Sequence, residues 1–310
     1  MFDWNDLRYF LAVAREGSTL SAAKAIDVSQ PTVQRRLAAL EESVGRKLVE
    51  RHPTGYRLTE LGKALLPHAK EVERSVATLQ RHLSSGGHEQ SGTLRVTCPE
   101  GMASRLLTPL IEAFQVKYPA LRVDLIMTDR RLDLAGGEAE VAVRMNEPGA
   151  SSLVARKIAD SFWAVYGSRS YVERHGRPRR LEELDDHAVI AFEGDVAESH
   201  ASAWLRAAAA RARIAARANS MLGVLAAVKS GAGLAPLPMA LGSSEGLEPV
   251  FSPVAELSSR IYLVMHSDLR SNARVRAFCD FVAKEIVRFR PLLMGKQPPA
   301  VPDRQQDRSR

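Results

Sequence analysis

Cysteine is scarce: the 310-residue chain holds two, Cys98 and Cys279. They lie far apart and form no CxxC pair, which argues against a disulfide framework or a zinc ribbon. Two isolated thiols suit a reducing compartment, and both are expected to be buried. Long apolar runs are also missing. None approaches the roughly 20 residues that cross a bilayer, so no membrane partner is expected. The opening stretch MFDWNDLRYFLAVAREG sets Asp3, Asp6 and Arg8 inside its apolar pattern, unlike the clean apolar run of a signal peptide. The expected location is the cytoplasm. Catalytic signatures are absent as well. There is no HExxH, no Walker-type loop and no histidine cluster, and GAGLAP is not a GxGxxG dinucleotide loop. GSSEG places Ser244 in a G-x-S-x-G pattern, yet a nucleophile elbow follows a strand and opens a helix. Its flanks, PLPMAL and LEPVFSP, read as loop and edge strand. The sequence therefore predicts a non-enzyme with no cofactor and no metal.

What is present begins with a net charge of +7, a mild bias toward an anionic partner. Leu7, Phe10, Leu11 and Ala14 recur at helical spacing and predict a first amphipathic helix, ended by Gly17. Ser18 is placed to cap a second short helix, and Asp27 and Val28 form the turn after it. Ser29 then caps a third helix in VSQPTVQRRLAALEESVG. Pro31 falls in its first turn, where backbone N–H groups have no intrahelical partner, so the proline sets the start without losing a bond. Val33, Leu37, Leu40 and Val44 share one face; Pro31, Thr32 and Arg35 point the opposite way, with Gln34 and Arg36 on the flanks. Beyond Gly45, two extended pieces (Lys47–Arg51 and Tyr56–Leu58) flank a tight turn and predict a hairpin.

These elements predict a winged helix-turn-helix, whose second helix enters the major groove of double-stranded DNA by its N-terminal end. The expected DNA-binding residues are Ser29, Gln30, Pro31, Thr32, Gln34, Arg35, Arg36, Arg51, Thr54 and Arg57. Gln30, Thr32, Gln34 and Arg35 suit base edges, while Arg36, Lys47, Arg51 and Arg57 suit phosphates. The bland alternative is a three-helix module with a merely solvated basic face.

A long helix follows. Leu58, Leu61, Leu65, Ala69, Val72, Val76, Leu79 and Leu83 form a near-heptad seam. Such a seam is covered either by a second copy of the chain or by the chain's own core. The narrow stripe beside Lys70, Glu71, Glu73, Arg74 and Arg81 favours a second copy. SSGGHEQSG has linker composition. The expected domains are 4–61 (winged helix-turn-helix), 62–91 (linker helix and hinge), 92–290 (regulatory domain) and 291–310 (disordered tail).

The run from Leu7 to Ala69 resembles the DNA-binding half of a LysR-type transcriptional regulator. Phe10, Gly17, Ser18, Ala22, Ala23, Ser29, Gln30, Pro31, Leu40, Glu41, Gly45, Leu48, Arg51, Leu58, Thr59, Gly62 and Leu65 carry the resemblance without gaps. Gln34 departs from the family's usual Ser or Thr, and Val49 from its usual Phe. The resemblance implies an α/β fold overall: the winged module and linker helix precede a two-lobed effector domain similar to periplasmic binding proteins. It also implies a homodimer or homotetramer on an inverted repeat, a small-molecule effector, and RNA polymerase as a partner.

From Thr93 onward, short apolar strands alternate with helices, which predicts parallel sheets with crossover helices. Strands are expected at LRVTC, RVDLIM, EVAVRM, FWAVYG, AVIAF, LAPLP and IYLVMH. Helices are expected near Ser202–Arg213 and Met221–Lys229, with a closing helix through Val275 and Ile286. By the resemblance, the first lobe is Thr93–Asp160 with His266–Arg290 and the second is Ser161–Met265. Ligands bind beyond the carboxyl ends of parallel strands. That rule selects Cys98, Pro99, Glu100, Gly101, Met102, Thr128, Arg144 and Asn146 in the first lobe, and Asn219, Ser220 and Met221 in the second. Helix N-termini and Arg144 there suggest a carboxylate-like or other polar metabolite. The competing hypothesis is a small-molecule sensor whose N-terminal module binds protein.

Overall fold

The computed structural model describes residues 3–53, 55–85, 91–145 and 152–296. Thr54, residues 86–90 of the expected linker and hinge, Asn146 and residues 297–310 lie outside them. The chain divides into two compact units, Met1–Leu83 with Ala135–Gly137, and Ser84–Leu134 with Glu138–Arg310.

In the first unit, α1 (Asp6–Glu16) ends at Gly17 with a left-handed φ of 67°. α2 (Thr19–Ala25) is capped by the Ser18 hydroxyl, which accepts from the Ser21 N–H. The connecting turn puts Asp27 at φ 54°, a left-handed position that a short carboxylate side chain tolerates. α3 (Gln30–Val44) starts under a Ser29 cap, whose hydroxyl accepts from the Thr32 N–H at 3.3 Å, with Pro31 in the first turn. Val33, Leu37 and Leu40 turn inward onto Phe10, Leu11 and Ala22. β1 (Val49–His52) and β2 (Gly55–Leu58) form the antiparallel wing, with His52 opposite Gly55.

Two close backbone approaches fix the wing. The Tyr56 N–H donates to the Gly17 carbonyl at 2.6 Å. A Cβ on Gly55 would lie 2.3 Å from that same oxygen. α4 (Glu60–Ser85) begins beside β1, where a Cβ on Gly62 would meet the Leu48 carbonyl at 2.1 Å. The Thr59 hydroxyl joins them by accepting from the Gly62 N–H and donating to the Lys47 carbonyl.

The second unit holds two lobes. The chain enters by β3 (Gly92–Cys98), then α5 (Glu100–Met102), a wide π turn at Ala103–Leu107 and α6 (Thr108–Lys117). The π turn sits where Pro109 has no N–H to give, and the Thr108 N–H reaches back to the Ala103 carbonyl. β4 (Leu121–Met127), β5 (Val141–Met145) and β6 (Leu153–Ser161) follow. The chain then crosses into the second lobe, with β7 (Trp163–Gly167), α7 (Arg169–His175), β8 (Ala188–Phe192), α8 (His200–Ala208) and β9 (Arg213–Ala218). The same lobe continues through α9 (Met221–Lys229), β10 (Ala235–Pro238), α10 (Met239–Gly242) and β11 (Glu248–Phe251). It returns by β12 (Ser259–His266) to α11 (Ala273–Glu285) and α12 (Arg290–Leu293).

The first-lobe sheet has the order β4-β3-β5-β12-β6. The second lobe holds β10-β7-β11 and β8-β9, bridged where the Ile190 N–H donates to the Leu234 carbonyl and the Leu234 N–H to the Ala188 carbonyl.

Several expectations change. The sheets are mixed: β3 runs parallel to β4 and β5, but β12 is antiparallel to β5 and β6, and β10 and β11 are antiparallel to β7. β12 is antiparallel because it is the strand by which the chain comes back into the first lobe. β12 therefore belongs to the first-lobe sheet, and the second crossover falls before Ser259 instead of at Met265. The helix expected to reach Arg213 stops at Ala208, because the alanine-rich run after it pairs with β8 as strand β9. Strands β6 and β9 had no counterpart among the expected segments. Packed chain also extends past residue 291, since Leu292 and Leu293 are buried in the first-lobe core.

Candidate nucleic-acid interface and inter-lobe cleft

The outer face of α3 divides its polar residues into two groups. Gln34 and Arg35 are exposed, and neither side chain has a hydrogen-bond or ionic partner among the described residues. Pro31 is exposed beside them, and Arg57 on β2 is exposed with no side-chain partner among the described residues. The rest are held by the protein itself. Gln30 donates its amide to the Thr19 hydroxyl at 3.1 Å, tying α3 to α2. Ser29 and Thr32 share a hydroxyl contact of 2.8 Å within the cap. Arg36 reaches Asp6 at 3.3 Å and Asp3 at 3.5 Å on the start of α1. Arg51 donates to the Tyr56 hydroxyl at 3.4 Å, and its pKa is raised by that bond. Thr54 is outside the described residues.

Glu41 controls where the wing sits. It is buried, and one carboxylate oxygen accepts from the Leu48 N–H at 2.9 Å and the Val49 N–H at 3.2 Å. The other oxygen accepts from Lys47 at 2.6 Å, a bond that raises the lysine pKa. A single carboxylate thus joins the last turns of α3 to the first strand of the wing. The sequence marks Glu41 only through family resemblance, because a carboxylate on a helix face usually signals solvent.

On α4, Ala69 is buried, but Val72 is 38% and Leu79 60% exposed. Val72 and Leu79 thus lack cover among the described residues. Arg15 of α1 pairs with Glu73 of the same helix and holds its first half against the winged module.

In the second unit, a cleft of about 640 Å³ separates the lobes. Cys98, Pro99, Gly101, Met102, Thr128, Arg144 and Met221 line it. Glu100, Asn219 and Ser220 do not. Ser220 is occupied in capping α9, its hydroxyl accepting from the Gly223 N–H at 3.1 Å. Asn219 lies under Gly194, where a Cβ would meet it at 3.2 Å. Asn146 is outside the described residues. The structure adds Arg105, Asp129, Arg130 and Arg131 from the first lobe, and Asp195, Glu198 and His200 from the second. The strand-end rule finds the floor of a cleft, whereas these walls come from loops and helix starts that carry no period.

Charge is unevenly shared between the walls. Arginines dominate the first lobe. Arg144 donates to the Leu132 carbonyl at 2.6 Å, and its pKa is lowered by burial and then by neighbouring Arg131. Arg130 lies 3.5 Å from Glu138, and Arg105 pairs with Glu245 of the second lobe. Cys98 sits at the cleft floor fully buried, and burial followed by the charge of Asp129 raises its thiol pKa well above the ordinary range. A neutral, shielded thiol is a poor nucleophile. Ser244 also offers no elbow, because its hydroxyl donates to the Leu241 carbonyl at 3.0 Å. Among the described residues no cluster of three potential metal ligands occurs, and no helix is long and apolar enough to cross a membrane.

The arrangement of a capped recognition helix with a pinned wing, and of two lobes around a cleft, agrees with comparisons of sequence and structure. The profile described as "Bacterial regulatory helix-turn-helix protein, lysR family" matches residues 4–63. The profile described as "LysR substrate binding domain" matches residues 87–286. An HTH-type transcriptional regulator of Xanthomonas campestris pv. campestris (strain 8004) is 34% identical over 193 residues, covering 61% of this chain and 55% of that relative. The chain thus matches about half of that protein's length. HTH-type transcriptional regulator CrgA of Neisseria meningitidis serogroup C (strain 8013) is 28% identical over 288 residues, covering 91% of this chain and 96% of the relative. The solved structure of CrgA, a LysR-type transcriptional regulator from Neisseria meningitidis, superposes with a TM-score of 0.57 at 26% identity, covering 92% of this chain and 99% of that one. The chain belongs to the LysR family of DNA-binding, helix-turn-helix transcriptional regulators with an effector-binding domain.

Proposed function

We propose that this regulator binds a promoter inverted repeat as a symmetric pair of chains and that a small metabolite with an anionic group, held in the inter-lobe cleft, modulates the binding. The observation that carries the DNA reading is the partition on α3. Its inner face is consumed by packing, its first turn by the cap and Arg36 by Asp6, while Gln34 and Arg35 have no partner among the described residues and lie toward the end that meets base edges. The exposed Val72 and Leu79 on α4 support a second copy as the cover of that helix. A two-fold pair then presents two recognition helices, as an inverted repeat requires. RNA polymerase as a further partner and a cytoplasmic location follow from the same reading.

For the effector, the support is the basic first-lobe wall, where Arg131 and Arg144 face a cleft large enough for a metabolite. The exposed and buried groups of the cleft serve binding, not catalysis. The ligand can shift the DNA-bound state only by its unequal affinity for two arrangements of the protein.

The test compares Arg35→Ala with Arg57→Ala across a set of related duplexes and salt concentrations. Arg35→Ala flattens the preference among sequences, whereas Arg57→Ala weakens all sequences alike and reduces the salt slope by about one. If both variants discriminate sequences as the parent does, α3 is not the reading element.

A further inference from the structure

Across the cleft mouth the two lobes touch through both polar and apolar contacts. Asp129 follows the end of β4 in the first lobe. Its carboxylate accepts from the Met221 N–H, the first residue of α9 in the second lobe, at 3.0 Å. Two further donors at that helix start are served from within: Gly223 N–H by the Ser220 hydroxyl, and Val224 N–H by the Ser220 carbonyl at 3.0 Å. Asp129 thus brings a charged acceptor to a donor that α9 cannot satisfy itself, where the helix dipole also favours a negative charge.

Two neighbouring contacts define the same closed mouth. Arg105 pairs with Glu245, which also accepts from Lys229 at 2.5 Å. Gly101 packs so closely that a Cβ would stand 3.3 Å from the Leu241 side chain and 3.4 Å from that of Met221. At the opposite side the lobes are joined by the paired crossovers, where Ser161 faces Ser259. The geometry is that of a hinge on one side and a clasp on the other.

We infer that Asp129 is an inter-lobe latch, whose carboxylate clasps the start of α9 and sets how often the cleft opens. Its regulatory meaning rests on the cleft being the effector site: a ligand entering there meets a protein whose open fraction scales its apparent affinity. The latch itself needs no ligand to be tested.

Trp163 lines the cleft and is 6% exposed. In full-length protein carrying Trp4→Phe and Trp204→Phe, its fluorescence reports on opening through acrylamide quenching. Losing a charge-assisted hydrogen bond raises the open population roughly tenfold or more. Asp129→Ala therefore increases quenching of Trp163, and Asp129→Asn, which keeps an acceptor but not the charge, gives an intermediate rise. Melting of the winged module stays as in the parent. Unchanged quenching in both folded variants overturns the latch. Loss of DNA binding in the parent overturns the regulator reading instead, so the two failures are distinct.

Discussion

Replacing Glu41 with alanine removes three bonds at once. The two wing amides of Leu48 and Val49 lose their acceptor inside a buried site, and Lys47 loses its anion. Hydrogen bonds to a charged group contribute roughly 1.5–3 kcal/mol each, and a stranded buried donor carries a comparable penalty. Lys47 is largely exposed, so its share is set aside. Two amide bonds that share one oxygen do not add fully, which puts the loss at about 2–4 kcal/mol for the winged module. Glu41→Gln keeps one carbonyl acceptor and is expected to lose about half as much.

The perturbation should be local. Hydrogen exchange on full-length protein should speed up in peptides spanning residues 46–60 and stay unchanged in α11. Fluorescence anisotropy with promoter DNA should show weaker binding, because the wing arginines lose their fixed position relative to α3. If wing exchange and DNA affinity both match the parent in Glu41→Ala, the carboxylate does not position the wing and the reasoning fails.

Other outcomes follow from the same structure. Val72→Glu with Leu79→Glu should leave the winged module folded but shift the chain to a monomer in analytical ultracentrifugation and abolish tight operator binding. His187 is buried beside His175 and contacts the Tyr171 hydroxyl at 3.2 Å; burial, then the charge of His175, lowers its pKa. Its folded pKa lies below the unfolded value, so the stability it contributes is complete above about pH 6.5 and lost as pH falls through the folded value. Thermal melting of the second lobe should therefore drop on acidification below pH 6.5, and His187→Gln should flatten that slope. Both thiols should resist alkylation in the folded protein, since burial raises Cys98 strongly and pushes Cys279 up to about 12; iodoacetamide labelling before and after denaturation checks this.

The winged module was legible in the sequence because its signals are local. Ser18, Ser29 and Pro31 mark helix starts, Gly17 and Gly45 mark ends, and the apolar face of α3 repeats at helical spacing. The roles of Asp6 and Glu41 were not legible from pattern, since each depends on a partner in another element: Arg36 on α3 for one, the amides of Leu48 and Val49 at the start of the wing for the other. In the second unit the strand ends pointed to the cleft through Cys98, Gly101 and Thr128, yet missed Asp129 and Arg131, which sit in an aperiodic loop. The run after Ala208 reads as helix because alanine and arginine favour it. Pairing with β8 outweighs that preference, as tertiary context often does for small residues. β12 carries a plain strand signal, but no sequence pattern tells which of two lobes a strand will join.

The account stands most directly on what α3 does in a duplex. Selection of bound sequences from a random double-stranded library, run with the parent and with Arg35→Ala, addresses it in one measurement. The parent should enrich two half-sites in inverted orientation, and Arg35→Ala should lose preference at the same base pair of each half-site while keeping the rest. Enrichment of no motif by the parent, or an identical motif from both proteins, would contradict it.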